Sequence, residues 1–184
     1  MTKRIYLSAG GIGKCYYCCM TNQMRFSEQL IKGKITEMIF EQMLREAGKF
    51  TVLAFGYESI LPELMHRQHD MKTEQTMEVI RRAPDFAVIN NTTHDVHLIE
   101  IKYRKTIKSS EILALANKMF ESWKPSYLFI ASPKGFYFGK VADIVESKGK
   151  IEPLLHPQIS SALQDKYLKL LNQFISTGTK TSLS

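Results

Sequence analysis

Arg81-Arg82-Ala83-Pro84-Asp85-Phe86-Ala87-Val88-Ile89-Asn90 and, a short turn later, Val96-His97-Leu98-Ile99-Glu100-Ile101-Lys102-Tyr103-Arg104-Lys105 are the stretch whose reading decides the fold. Both runs are rich in aliphatic and β-branched residues and read as the two strands of a hairpin. The segment between them, Asn90-Asn91-Thr92-Thr93-His94-Asp95, is built of turn formers. A turn folded symmetrically about Thr92-Thr93 sets Asp85 directly across from Glu100. Alternation along the second strand then sends Glu100 and Lys102 to one face and Ile99 and Ile101 to the other. Two carboxylates and a lysine are thereby predicted to meet at one spot.

Strand stability does not ask for that arrangement, because like charges directly opposite on a sheet repel. A divalent cation removes the cost, and hard carboxylate oxygens suit Mg²⁺ or Mn²⁺. A lysine two residues from one ligand can neutralise a phosphate, or hold an attacking water and help to deprotonate it. The blander alternative is an exposed strand end carrying an ordinary Glu-Lys pair.

A third carboxylate lies upstream. Gly33 to Gly48 reads as an amphipathic helix, with Ile35, Ile39, Met43 and Ala47 in one stripe, Phe40 and Leu44 widening it, and Gly48 as its left-handed stop. On a helical wheel Glu37 falls at the margin of the apolar face beside Leu44, while Glu41 and Arg45 point further out. A margin residue can reach a site at a sheet edge; the alternative for Glu37 is an ordinary solvated helix position.

Pro84-Asp85 followed by Glu100-Ile101-Lys102, with Glu37 on the preceding helix, resembles the motif of the PD-(D/E)xK nuclease superfamily. The pattern is most similar to Holliday-junction resolvases and related small nucleases, whose first helix has a Gly-x-x-x-Glu start like Gly33 to Glu37. The similarity in element order runs over roughly residues 29 to 140, and its specificity comes from order rather than from the short motif. The resemblance implies an α/β, restriction-endonuclease-like core, a central mixed β-sheet flanked by helices in the order αβββαβ. It implies that Asp85, Glu100 and the backbone carbonyl of Ile101 bind Mg²⁺ or Mn²⁺, that Lys102 positions water or steadies the phosphate, and that Glu37 holds outer waters or a second metal. It implies products with a 5′-phosphate and a free 3′-hydroxyl, and, for a resolvase, a homodimer.

The rest of the chain supplies the matching elements. Phe50 to Tyr57 reads as the first strand, and residues 58–80 as an irregular or partly helical insertion. Ser109-Ser110-Glu111 starts a helix in which Ile112, Leu115, Ala116, Met119, Phe120 and Trp123 fall at helical spacing, ended by Pro125. Tyr127 to Ala131 is a short buried strand, Phe136 to Val141 another, and Ile159 to about Ile175 a last helix that packs over the sheet or on a partner. This gives an extension at 1–28, one nuclease-like domain at 29–175 and a flexible tail at 176–184.

Lys and Arg outnumber Asp and Glu by 25 to 18, a net charge of +7, which suits a polyanionic partner, DNA first. Arg81, Arg82, Arg104, Lys105 and Lys108 flank the motif and are the expected phosphate contacts, positioning nucleic acid without reading its sequence. Solvated basic residues would look the same. No apolar run reaches membrane-spanning length and the N-terminus lacks a secretory pattern, so an intracellular protein without a membrane partner is expected.

Cys15, Cys18 and Cys19 crowd all three cysteines into five positions. Cys15 and Cys18 have the spacing of a zinc half-site, with His66 and His69 as candidate partners; the alternative is reduced thiols in a strand or loop. Ser8 to Cys15 imitates a phosphate-binding loop but lacks its first glycine and its metal-binding hydroxyl, so those glycines are expected to form a turn. Three function classes stay open: a metal-dependent endonuclease, a nucleic-acid-binding module without turnover, and a subunit whose cutting is directed by partners in transposition, restriction or defence.

Overall fold

In the computed structural model the hairpin forms in the register its turn dictates. Phe86 pairs with Ile99, Ala87 with Leu98, Val88 with His97 and Ile89 with Val96, and the next pair of that ladder is Asp85 with Glu100. Asn90 fixes the turn. Its side-chain Oδ1 accepts from the amides of Thr92 (2.9 Å) and Thr93 (3.3 Å), and its Nδ2 donates to Gln158. Because Asn90 is buried, its loss leaves these partners unsatisfied. Asn90→Ala is expected to cost about 2 kcal/mol, read as a lower urea midpoint with an unchanged m-value.

The structure describes the backbone of residues 13–56 and 71–177, and within them the side chains from 24 onward apart from 25, 71–73 and 177. The elements are α1 (Gly13–Ala47), β1 (Phe50–Ala54), α2 (Met71–Arg81), β2 (Phe86–Asn90), β3 (Val96–Tyr103), α3 (Ser109–Ser122), β4 (Tyr127–Ser132), β5 (Gly135–Lys140), α4 (Val141–Glu146), β6 (Glu152–Pro153) and α5 (Ser161–Thr177). The six strands lie side by side in chain order, all pairs antiparallel except β3 with β4. A parallel neighbour requires a crossover, and α3 provides it. The expected α/β class, mixed sheet and αβββαβ order are present, with α2 inserted after β1.

Each face of the sheet has its own core. Val52, Phe86, Val88, Ile99, Ile101, Phe129 and Phe136 pack with Ile39, Phe40, Met43 and Leu44 of α1 and with Tyr167 and Leu171 of α5. On the other face Leu128 and Ile130 meet Ile112, Ala116 and Met119 of α3 and Val141 and Ile144 of α4. Leu128 to Ala131 have no exposed surface, as befits a strand covered on both sides. Glu100 pairs with Leu128 and Lys102 with Ile130, so the two charged residues lie beside the apolar patch under α3, on the same face.

Several boundaries differ from the sequence reading. The first helix starts at Gly13, twenty residues before Gly33, and runs through residue 28 without a break. The backbone at Cys15, Cys18 and Cys19 is helical, neither strand nor loop. Once the packed half of a helix exists, extending it through indifferent residues is cheap compared with nucleation. Gly48 ends α1 with φ 68°, as expected. β1 stops at Ala54, short of Tyr57: the amides of Phe55 and Gly56 both donate to the Asp85 carbonyl (3.0 and 3.1 Å), which leaves the regular ladder. α5 reaches Thr177, beyond the expected start of the tail. α4 and β6 were not anticipated, and both are too short for periodicity to register. Among the described residues no helix is long and apolar enough to cross a membrane.

Candidate active site

Asp85 is positioned from three sides. Pro84 before it is fully buried, its own carbonyl takes the two amides from the end of β1, and its carboxylate Oδ2 accepts the amide of Ile101 at 2.7 Å. The last bond ties Asp85 to β3 between Glu100 and Lys102. Lys102 Nζ lies 2.5 Å from Glu100 Oε1 and 3.7 Å from Asp85 Oδ2. The hairpin therefore brings the three residues together as its register predicts, with the ammonium bridging the carboxylates. Glu37 joins from α1, held by Lys34 at 3.1 Å. It is close enough to Asp85 and Lys102 to feel both charges.

Electrostatics show where this cluster is under-compensated. Burial raises the Glu100 carboxyl above the ordinary range; Lys102 opposes the rise and Asp85 adds to it. Burial also raises Glu37, against the hydrogen bond from Lys34, with Asp85 again pushing up. For Lys102, burial acts downward but is outweighed by Glu100 and Asp85, and its pKa ends above the normal lysine value. The group is a firm ammonium at neutral pH in this state, a hydrogen-bond donor and a positive charge rather than a base.

The donor set suits a hard divalent cation: buried carboxylates with raised pKa values mark negative charge that a cation would relieve. Among the described residues no three Asp, Glu, His or Cys side chains converge into a ready metal cage.

These side chains face a cleft of about 870 Å³. Leu115, Lys118 and Met119 of α3 form one wall, Ala54 and Gly56 another. Arg81 and Arg82 stand on its rim as expected, but engaged: Arg81 with Glu74 and Glu78, Arg82 with Glu78 and, at 3.7 Å, Glu121. Arg104, Lys105 and Lys108 are not in this cleft. They line a second one beyond the end of β3, so the five basic residues flanking the motif do not form one patch.

The sequence reading missed Lys34, Glu78, Glu121 and Lys118. Lys34 had a signal, since it stands three residues before Glu37 on a helix. The others come together only through the placement of α2 and α3. Tyr57, His66 and His69 lie outside the described residues, as do the side chains of Cys15 and Cys18, and with them the zinc half-site.

No protein-family model and no curated protein matches the chain. Among solved structures it is similar to the Holliday junction resolvase Hjc of Archaeoglobus fulgidus, an archaeal hyperthermophile, at 14% identity with a TM-score of 0.32, over 72% of this chain and 99% of that one. Likeness that remote transfers neither substrate nor mechanism.

Proposed function

We propose that this chain is a divalent-metal-dependent endonuclease that hydrolyses phosphodiester bonds of nucleic acid, with DNA as its substrate and branched forms included. The observation that carries the reading is the hairpin register, which places Asp85 beside Glu100 with Lys102 bridging them, in an open cleft rimmed by arginines. Asp85, Glu100 and the carbonyl of Ile101 would hold the cation, and Glu37 would hold water at its edge. A cation there supplies Lewis-acid stabilisation of charge on the phosphoryl oxygens. Lys102, displaced from Glu100, donates hydrogen bonds to the attacking water or to a non-bridging phosphate oxygen and offsets the charge that grows there. Pro84 and the Ile101 amide keep Asp85 from turning away, and α3 closes one side of the cleft to bulk water. Water attacks phosphorus as the bond to the 3′-oxygen breaks, leaving a 5′-phosphate and a 3′-hydroxyl.

Incubation with supercoiled plasmid, linear duplex, single strands, a four-way junction and RNA, with Mg²⁺, Mn²⁺ or chelator, tests this. Metal-dependent cutting that Asp85→Ala abolishes is expected. No cutting of any substrate by the wild type, with binding intact, would replace the reading by that of a binding module.

The raised carboxyls set a pH dependence with opposite signs for metal binding and for metal-free stability. A group protonated more readily in the folded than in the unfolded state favours folding at low pH, and that contribution is lost as pH rises through the folded pKa. Glu100 and Glu37 are such groups. Metal needs the ionised form, so Mg²⁺ affinity falls as pH drops through the same range. Titrations of melting temperature against Mg²⁺ are expected to show a larger shift at pH 8 than at pH 5.5, reaching about 2.7 kcal/mol at a hundredfold excess over Kd. Glu100→Gln removes most of the Mg²⁺ effect while leaving the metal-free protein at least as stable at pH 8. A pH-independent Mg²⁺ shift, or one retained by Glu100→Gln, overturns the assignment of the ligand.

A further inference from the structure

We propose that a second cleft, adjoining the first, holds a single strand of nucleic acid leading to or from the candidate active site; the inference rests on the nuclease reading and adds the path and form of its substrate. The cleft has a volume of about 950 Å³ and shares no lining residue with the first. Five cations line it, Lys32 of α1, Arg104, Lys105 and Lys108 of the β3–α3 connection, and Lys169 of α5, against one carboxylate, Glu111.

That carboxylate is already engaged by Lys108 at 2.9 Å and by Arg104 at 3.9 Å. Lys32 is paired with Glu28 at 3.6 Å, whereas Lys105 and Lys169 have no carboxylate at ion-pair distance among the described residues. Uncompensated like charges in a concave surface repel one another and attract a polyanion. The remaining lining is suited to exposed bases. Tyr103, half-buried with part of its ring against the core, offers an aromatic surface, and Gln29 and Asn172 bring amide groups. Asn172 donates to the Pro133 carbonyl at 3.1 Å, which orients its amide and leaves its oxygen to accept. Basic side chains for phosphates, an aromatic for stacking and amides for base edges are the set that single strands need; a duplex hides its base faces and does not fit a cavity of this size.

The two clefts meet around the end of β3: Lys102 lines the first and Tyr103 the second, and successive residues of a strand point to opposite faces of the sheet. On α1, Gln29 and Lys32 line the second cleft and Leu30, Lys34 and Glu37 the first, two stripes on different sides of one helix. A strand lying in the second cleft would reach the Glu100–Lys102 pair by passing around the end of β3, where Arg104 and Lys105 stand.

The test is binding of a fluorescent fifteen-residue oligothymidylate to the full chain in chelator, by anisotropy at several salt concentrations. Lys105→Glu/Lys169→Glu is expected to weaken binding at least tenfold and to reduce the slope of log affinity against log salt by about 1.4, at roughly 0.7 for each lost phosphate contact. Tyr103→Leu is expected to weaken binding about fivefold or more, the effect of losing one stacking platform. Lys148→Glu, at an exposed lysine outside both clefts, serves as the control for charge reversal away from the cleft and is expected to change neither quantity. An unchanged affinity and slope in the double variant, or an equal loss in Lys148→Glu, overturns the proposal. Hydrolysis of bis(p-nitrophenyl) phosphate, too small to reach the second cleft, reports separately on the active site. Its absence in the wild type counts against the nuclease and leaves the binding result to stand, whereas hydrolysis with no binding effect counts against the cleft alone.

Discussion

Lys102→Met is expected to lower the rate of metal-dependent cleavage by about a thousandfold, the scale on which removing one preorganised charge donor acts at a developing oxyanion. Methionine keeps most of the volume of the buried stem, so the loss isolates the ammonium. The variant also leaves Glu100 and Asp85 facing one another without the cation that now lies 2.5 and 3.7 Å away. The Glu100 carboxyl, already raised by burial, then favours protonation more strongly. The metal-free variant should accordingly melt lower than wild type at pH 8, recover on acidification, and gain more from Mg²⁺. These three stability readouts separate the expected result from misfolding, which no pH or metal would restore. Lys102→Arg should not recover the activity, since a broad planar fork does not replace a point donor between two carboxylates. Cleavage that persists in Lys102→Met under chelator-sensitive conditions would place the chemistry elsewhere.

How much of this site was legible in the sequence follows from how local each relation is. Asp85, Glu100 and Lys102 are joined by one hairpin, and a polar turn with Asn90 at its base sets their register. Strand alternation does the rest, so the triplet could be placed without any tertiary information. Glu37 required one step more, since its place at the margin of a helix face says that it can reach a sheet edge but not which one. The split of the basic residues was not readable. Arg81 and Arg82 follow α2 while Arg104, Lys105 and Lys108 follow the end of β3, and their separation depends on where those elements pack. Lys169 lies 67 positions beyond Lys102 in the chain, and only the docking of α5 beside α1 brings it near. The start of α1 was misread for a different reason: propensity judged Cys15 to Cys19 on their own, while a helix anchored downstream propagates through them.

Gly149→Ala is expected to destabilise the protein by about 3 kcal/mol or more, one of the large single-residue effects that have a nameable steric cause. Gly149 has φ 90°, a conformation that disfavours any side chain, and a Cβ there would stand 2.0 Å from the Ser109 carbonyl oxygen and 3.0 Å from Leu113 Cβ. The first of these is backbone at the start of α3 and cannot swing aside as a side-chain tip could. Its displacement moves the helix whose Leu115, Lys118 and Met119 wall the candidate active site, so activity should fall together with stability. The melting temperature should drop by about 6–12 °C, taking 2–4 °C per kcal/mol for a chain of this size. Gly33→Ala gives the opposite sign. Gly33 lies inside α1 with nothing within 4 Å of an added Cβ, and alanine there restricts the unfolded chain and favours the helix by up to about 1 kcal/mol. A Gly149→Ala protein that melts with wild type, or a Gly33→Ala protein that loses as much as Gly149→Ala, would contradict the packing of α3 and the exposure of α1 on which the two expectations stand.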